Sequence, residues 1–143
     1  MAKEHGLKNI LVTNGFVNKE PFEKIAPYID AANIDLKSFS DEFYKKYCGG
    51  RLNPVLDTIK KAYEKGIHIE ITTLIIPGLN DTEKDLEKIA KFIASIDKKI
   101  PWHISRFFPM YKMTDKPITP IDTLEKAYKI GKKHLKYVYI GNI

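Results

Sequence analysis

Five short apolar runs alternate with amphipathic stretches along the whole chain, and few folds accept that pattern. The runs read as strands from Lys8 to Thr13, Asn33 to Lys37, Ile67 to Leu74, Trp102 to Phe107 and Lys136 to Ile140. Each is largely apolar and has Gly, Pro, Asn or Asp nearby. The stretches between them have helical spacing. Glu20 to Tyr28 carries Phe22, Ile25 and Ala26 on one side. Asn53 is predicted to cap the next helix, with Pro54 at its first position and Val55, Ile59 and Ala62 facing inward. Gly66 is predicted to stop it. Asp81 or Thr82 opens the following helix, whose stripe is Leu86, Ile89, Phe92, Ile93 and Ile96. Asp122 is predicted to cap the last helix, with Leu124, Ala127, Ile130 and Leu135 inside.

This alternation, without a low-complexity linker, predicts one α/β domain over 1–143 with a five-stranded, mainly parallel βα-repeat sheet. A repeat of about 35 residues suits a βα barrel or a doubly wound sheet. Five strands are too few for a closed eight-stranded barrel but suit an open sheet or part of a barrel. In both, ligand-binding groups belong at the C-terminal ends of the strands.

Composition narrows the partners. The chain has 24 Lys plus Arg against 18 Asp plus Glu, a net charge of +6. The lysines fall mostly in helical stretches and are mixed with acids, as in Lys60-Lys61 and Lys132-Lys133, which reads as solvated helix faces. No long single-sign block argues for nucleic acid. Cys48 is the one cysteine, so no internal disulfide forms, and a reducing cytoplasm is the default expectation. No run approaches the ~20 apolar residues of a membrane span, and the N-terminus has no signal-type apolar run.

Polar residues gather at the strand ends. The first strand ends in Thr13-Asn14-Gly15-Phe16, a turn signal placed where sites form. The second carries Asn33, Asp35 and Lys37 on one face by alternation. Opposite charges on one face of a core strand either satisfy each other or meet a ligand, and spacing alone leaves both open. The third strand puts His68, Glu70, Thr72 and Leu74 on one face and Ile67, Ile69, Ile71 and Thr73 on the other. It either lines a cavity or is half exposed. A loop, Ile75-Ile76-Pro77-Gly78-Leu79-Asn80-Asp81, follows it, with Pro and Gly setting its path. The fourth strand has His103, Ser105 and Phe107 on one face and Ile104 and Arg106 on the other. Arg106 could bind an anion or pair with a carboxylate, and His103 reads more readily as structural than catalytic. Cys48-Gly49-Gly50-Arg51 reads as a loop after a short helix, with no Cys-His-Asp set. No Walker loop, Gly-x-Gly-x-x-Gly, Gly-x-Ser-x-Gly or His-Glu-x-x-His occurs, so neither a nucleophilic triad nor zinc is supported.

Taken in order, these segments resemble the C-terminal part of the radical SAM enzymes. The likeness is strongest to the pyruvate formate-lyase activating-enzyme-like branch, in particular the radical SAM enzymes of the AmmeMemoRadiSam system. It rests on Thr13-Asn14-Gly15-Phe16, Asn33-Ile34-Asp35-Leu36-Lys37 and Cys48-Gly49-Gly50-Arg51-Leu52 with Pro54-Val55-Leu56. It continues through Thr73 to Asp81, Pro101 to Pro109 and Tyr137 to Asn142. The resemblance implies the C-terminal part of an incomplete βα barrel of about six units. In its complete form such an enzyme holds a [4Fe-4S] cluster and S-adenosylmethionine. It cleaves the latter reductively to a 5′-deoxyadenosyl radical, which abstracts hydrogen from a substrate.

Carried over residue by residue, the resemblance makes Thr13, Asp35 and Lys37 candidate contacts to the methionine and ribose parts of the cofactor, with Asn14 a further cofactor-binding candidate. Thr72 and Leu74 are candidates for the ribose and adenine. Relatives often have Arg where Thr72 stands. They also have a His shortly after the fourth strand, where this chain reads Phe108-Pro109-Met110-Tyr111, and that role does not pass to His103. The Cys-x-x-x-Cys-x-x-Cys loop and the Gly-rich motif after the second barrel strand are absent. Three thiolates anchor the cluster, so Cys48 cannot hold it, and no residue is a candidate metal ligand.

The expectation is therefore a fragment lacking the first two βα units, cluster-free and inactive alone. Its expected partners are the small-molecule cofactor, a protein substrate and, through an exposed first strand, a second copy. Nucleic acid and membrane are not expected partners. The rivals are a cluster-free α/β enzyme or binding domain using Asp35, Lys37 and Glu70 on a carboxylate or carbonyl ligand, and a non-catalytic interaction module.

Overall fold

A computed structural model describes residues 2–143. Its strands are β1 (Ile10–Thr13), β2 (Ala31–Asp35), β3 (His68–Ile75), β4 (Trp102–Arg106) and β5 (Val138–Gly141). They form one sheet in the order β1-β2-β3-β4-β5. Every neighbouring pair is parallel, so each connection crosses back along the sheet, as parallel strands require. The main helices are α1 (Lys19–Ile25), α2 (Asp41–Phe43), α3 (Leu52–Glu64), α4 (Glu83–Ile96) and α5 (Ile121–Lys132). Short 3-10 turns cover Lys3–His5 and Ala26–Tyr28, and a π-type turn covers Tyr44–Cys48.

The core lies between the helices and one face of the sheet. Ile34, Ile71, Ile75, Trp102 and Ile104 from the strands are buried with Val55, Ile59, Leu86, Ile89, Ile93 and Leu124 from the helices. The opposite face stays partly open and carries the polar residues of β2, β3 and β4, with apolar Ile10 and Val12 on it in β1. In β3 the burial alternates strictly, with Ile69, Ile71, Thr73 and Ile75 buried and Glu70, Thr72 and Leu74 half-buried. The five-stranded parallel α/β fold is thus the predicted one.

Several boundaries differ for physical reasons. β1 begins at Ile10 rather than Lys8, because Asn9 uses its backbone N–H on the Asp30 carboxylate and its carbonyl to accept from Asp30 and Ala31. β2 starts two residues early and ends at Asp35, so Lys37 lies just beyond its ladder. β5 is Val138–Gly141 rather than 136–140.

Asn53 does not cap α3, which begins one residue before it; instead the Asp41 carboxylate accepts from Leu52 N–H at 3.0 Å. Thr82, not Asp81, caps α4 by accepting from Asp85 N–H at 3.2 Å. Asp122 falls inside the first turn of α5, with Pro120 at the cap position. Ile25 remains 41% exposed, although Phe22 and Ala26 beside it are buried. Gly66 follows α3 at φ +75°, a left-handed conformation that suits glycine. Among the described residues no helix is long and apolar enough to cross a membrane.

Candidate functional site

The register places the polar residues in rows across the open face. Asp35 pairs with Thr72, Thr72 with His103, and His103 with Tyr139. One step toward the N-terminal ends, Val12 pairs with Asn33 and Asn33 with Glu70. One step toward the C-terminal ends, Leu74 pairs with Ser105 and Ser105 with Gly141.

Lys37 reaches back over Asp35, with Nζ at 2.9 Å from Oδ2. The two side chains are 35% and 33% exposed, so the pair satisfies itself while keeping both charges open to a ligand. Beside it the Thr72 hydroxyl donates to Asn33 Oδ1 at 2.8 Å. Of the two alternatives raised by the spacing, the structure shows the first, the ion pair, and it lies on the open face.

Glu70 belongs to a different group. One carboxylate oxygen lies 2.6 Å from His103 Nε2 and the other 3.3 Å from His68 Nε2. Partial burial works against its ionisation, but the bonds from His68 and His103 and their charges outweigh it and hold the carboxyl below its usual range. His103 also stacks on Tyr139, with ring centroids 5.3 Å apart. Glu70 is thus engaged by two histidines, and no hydrogen bond or ion pair joins its side chain to Asp35 or Lys37.

The loops beyond the strand ends enclose a cavity of about 330 Å³, lined in part by Asn14, Phe16, Lys37, Tyr44, Leu74 and Phe107. Asn14 Oδ1 accepts from Phe16 N–H, closing the turn that the sequence signals. Thr13 pairs with Ile34, sits on the helix-covered side and accepts from Gly15 N–H, so it does not share the face of Asp35. Cys48 ends the π-type turn and forms part of the cavity wall. Local burial pushes its thiol up, and Lys37 pulls the other way. Burial likewise drives the Tyr44 phenol well above its ordinary value. Arg106 Nε donates to the Thr119 carbonyl at 2.9 Å and its guanidinium lies over Phe108, so its partners are a carbonyl and a ring.

Two polar residues, Asn80 buried and Asp85 half-buried, escaped the sequence reading. Asn80 bonds three backbone groups at the ends of β2 and β3. Asp85, on α4, accepts from the Ser38 hydroxyl at 2.8 Å and from Phe39 N–H at 3.0 Å. Burial raises its pKa, against the pull of those bonds. The Gly-Leu-Asn-Asp run after β3 hints at the first; nothing in the sequence near Asp85 marks the second.

The donor set separates the two groups that the resemblance implies. An ammonium beside a carboxylate, a hydroxyl, an amide and an apolar side chain fit an amino-acid nucleoside. An iron–sulfur cluster does not fit: the chain has one cysteine, and among the described residues no three His, Cys, Asp or Glu are placed to hold a metal ion.

Residues 1–93 match the family model described as the Radical SAM superfamily. An uncharacterised protein of Methanocaldococcus jannaschii is 47% identical over 100% of this chain and 43% of its own length. The pyruvate formate-lyase-activating enzyme of Clostridium pasteurianum is 25% identical over 96% of this chain and 59% of its own length. The chain thus spans roughly half the length of these relatives. Among solved structures, a domain of the pyruvate formate-lyase-activating enzyme of Bacteroides vulgatus is similar in fold, with a TM-score of 0.81 at 20% identity. That likeness covers 98% of this chain and 84% of the domain. Streptococcus suis SuiB bound to S-adenosylmethionine is also similar in fold, with a TM-score of 0.75 at 14% identity over 99% of this chain and 34% of SuiB.

Proposed function

The chain belongs to the radical SAM superfamily, and from that premise we propose that its open sheet face is one wall of an S-adenosylmethionine site. The observation that carries this reading is the Lys37–Asp35 pair, half-open at the C-terminal end of a parallel strand. The methionine end of the cofactor is a zwitterion. Lys37 offers its carboxylate a cation, and Asp35 offers its ammonium an anion, so the ligand exchanges with a pair already in place. Thr72 and Asn33 supply hydroxyl and amide groups in reach of a ribose, Leu74 an apolar surface for a base, and Asn14 a polar group at the cavity mouth. Thr13 contributes by closing the turn that presents Asn14.

In the complete protein, S-adenosylmethionine held by these residues would supply a 5′-deoxyadenosyl radical for hydrogen abstraction, releasing methionine on taking one electron from a cluster held elsewhere, in the manner of the glycyl-radical activating enzymes and with a protein as the substrate. The cluster thiolates would have to come from residues other than these, and this chain alone is not expected to cleave the cofactor. The test is calorimetric titration of the chain with S-adenosylmethionine. Wild type should bind, and Lys37→Ala should weaken binding about tenfold or more, the loss of one charge-assisted contact. No binding by wild type, or equal binding by Lys37→Ala and Asp35→Asn, would overturn the reading.

A further inference from the structure

Asn80 is 1% exposed and lines no part of the cavity, yet its carboxamide is fully used. Nδ2 donates to the carbonyls of Lys37 and Leu74, and Oδ1 accepts from Ile76 N–H at 2.7 Å. Both amide hydrogens are thereby spent on two residues of the proposed cofactor wall, one beyond β2 and one in β3.

The need for such a device is visible in the ladder. The paired register of β2 with β3 ends at Asp35 and Thr72, and the last backbone bond is Leu36 N–H to the Thr72 carbonyl at 2.9 Å. Lys37 is therefore the first residue outside the ladder. Its backbone is gripped by side chains instead: its N–H donates to the Tyr44 hydroxyl at 3.0 Å, and its carbonyl accepts from Asn80. The path of the loop makes this possible. Gly78 at φ +74° turns the chain back, and its N–H donates to Asp81 Oδ1 at 2.9 Å. Asn80 is thus delivered beneath the two strand ends. A residue that only needed its own hydrogen bonds could have found carbonyls within the loop; this one spans 43 positions to reach Lys37.

We infer that Asn80 is a positioning residue that fixes Lys37 and Leu74 at the separation a ligand on the sheet face requires, with the Tyr44 hydroxyl completing the grip on Lys37. This rests on the cofactor reading above for what the ligand is, but the placement of Lys37 can be read without any ligand.

The variants are Asn80→Asp, which keeps the acceptor and replaces both donors with an oxygen, and Tyr44→Phe, which keeps the ring and removes the hydroxyl. A control, Ile59→Val, trims the core at a fully buried position outside the site. Each is measured for thermal midpoint, dissociation constant for S-adenosylmethionine, amide exchange at Lys37, and the Lys37–Asp35 contact in a crystal structure. Both site variants should lose the Lys37–Asp35 contact. Tyr44→Phe should speed exchange of the Lys37 amide at least about tenfold, and both should weaken binding about tenfold. Ile59→Val should lower the midpoint and leave binding unchanged. If Asn80→Asp does not fold, Asn80→Ser, which keeps one donor, takes its place, and Tyr44→Phe tests the second grip on Lys37. An unmoved Lys37 with wild-type exchange overturns the inference, as does a dissociation constant that follows the midpoint in all three variants. Should the wild-type chain bind no S-adenosylmethionine, the cofactor reading fails, and the structural and exchange measurements still decide the role of Asn80.

Discussion

Asp35 and Lys37 were legible as a pair because a strand's two-residue period needs no knowledge of the rest of the fold. Asn80 and Asp85 were not. Each has a partner far along the chain, 43 and 47 residues away, that only the packed sheet brings to it. Glu70 is an intermediate case: alternation gives its face, but His103 arrives from a neighbouring strand 33 residues on. Its chemistry makes a prediction at this scale. The folded carboxyl titrates below its ordinary value of 4.5. Ionised Glu70 therefore contributes stability that is fully present above that value and is lost as pH falls through the lower folded value. Urea denaturation across pH 3 to 6 should show this acid loss in wild type and a flatter profile for Glu70→Gln. Identical slopes in the two proteins would mean that the histidine contacts do not hold the charge.

At the scale of elements, the strand and helix count was readable because hydrophobic periodicity reports directly on which face is buried. The helix starts were less so. α3 is capped by Asp41 from another element, and such a cap leaves no mark next to the helix it serves. Packing between elements gives a second prediction. Gly131 in α5 lies against Trp102 of β4, and a β-carbon there would come within 2.8 Å of the indole Cε3. Alanine gains about 1 kcal/mol over glycine in a helix. Overpacking a tight core contact costs about 1–3 kcal/mol, and Trp102 has nowhere to go, being fully buried. Gly131→Ala should therefore be destabilising on balance, read as a lower urea midpoint with an unchanged slope. A stabilised protein would show that the helix and strand can part freely.

For the whole molecule, the sheet is open. Among the described residues β1 pairs only with β2, and Ile10 and Val12 on its open face are 69% and 77% exposed. A bare parallel edge beside exposed apolar side chains invites another strand or another copy. Light scattering should therefore show concentration-dependent association of this chain. Val12→Lys, which puts a charge on the edge strand, should reduce it; association unchanged by that substitution would place the contact elsewhere.

The chain's one tryptophan is wired to the site. Trp102 Nε1 donates to the Thr73 hydroxyl at 2.9 Å, and that hydroxyl donates to the Leu36 carbonyl at 2.8 Å, one residue from Lys37. The indole is fully buried, and among the described residues its one polar contact leads through a single hydroxyl to the strand end that carries the ion pair. The protein therefore contains its own optical reporter. Its emission colour and lifetime register the state of that hydrogen-bonded relay, free of background from any second indole.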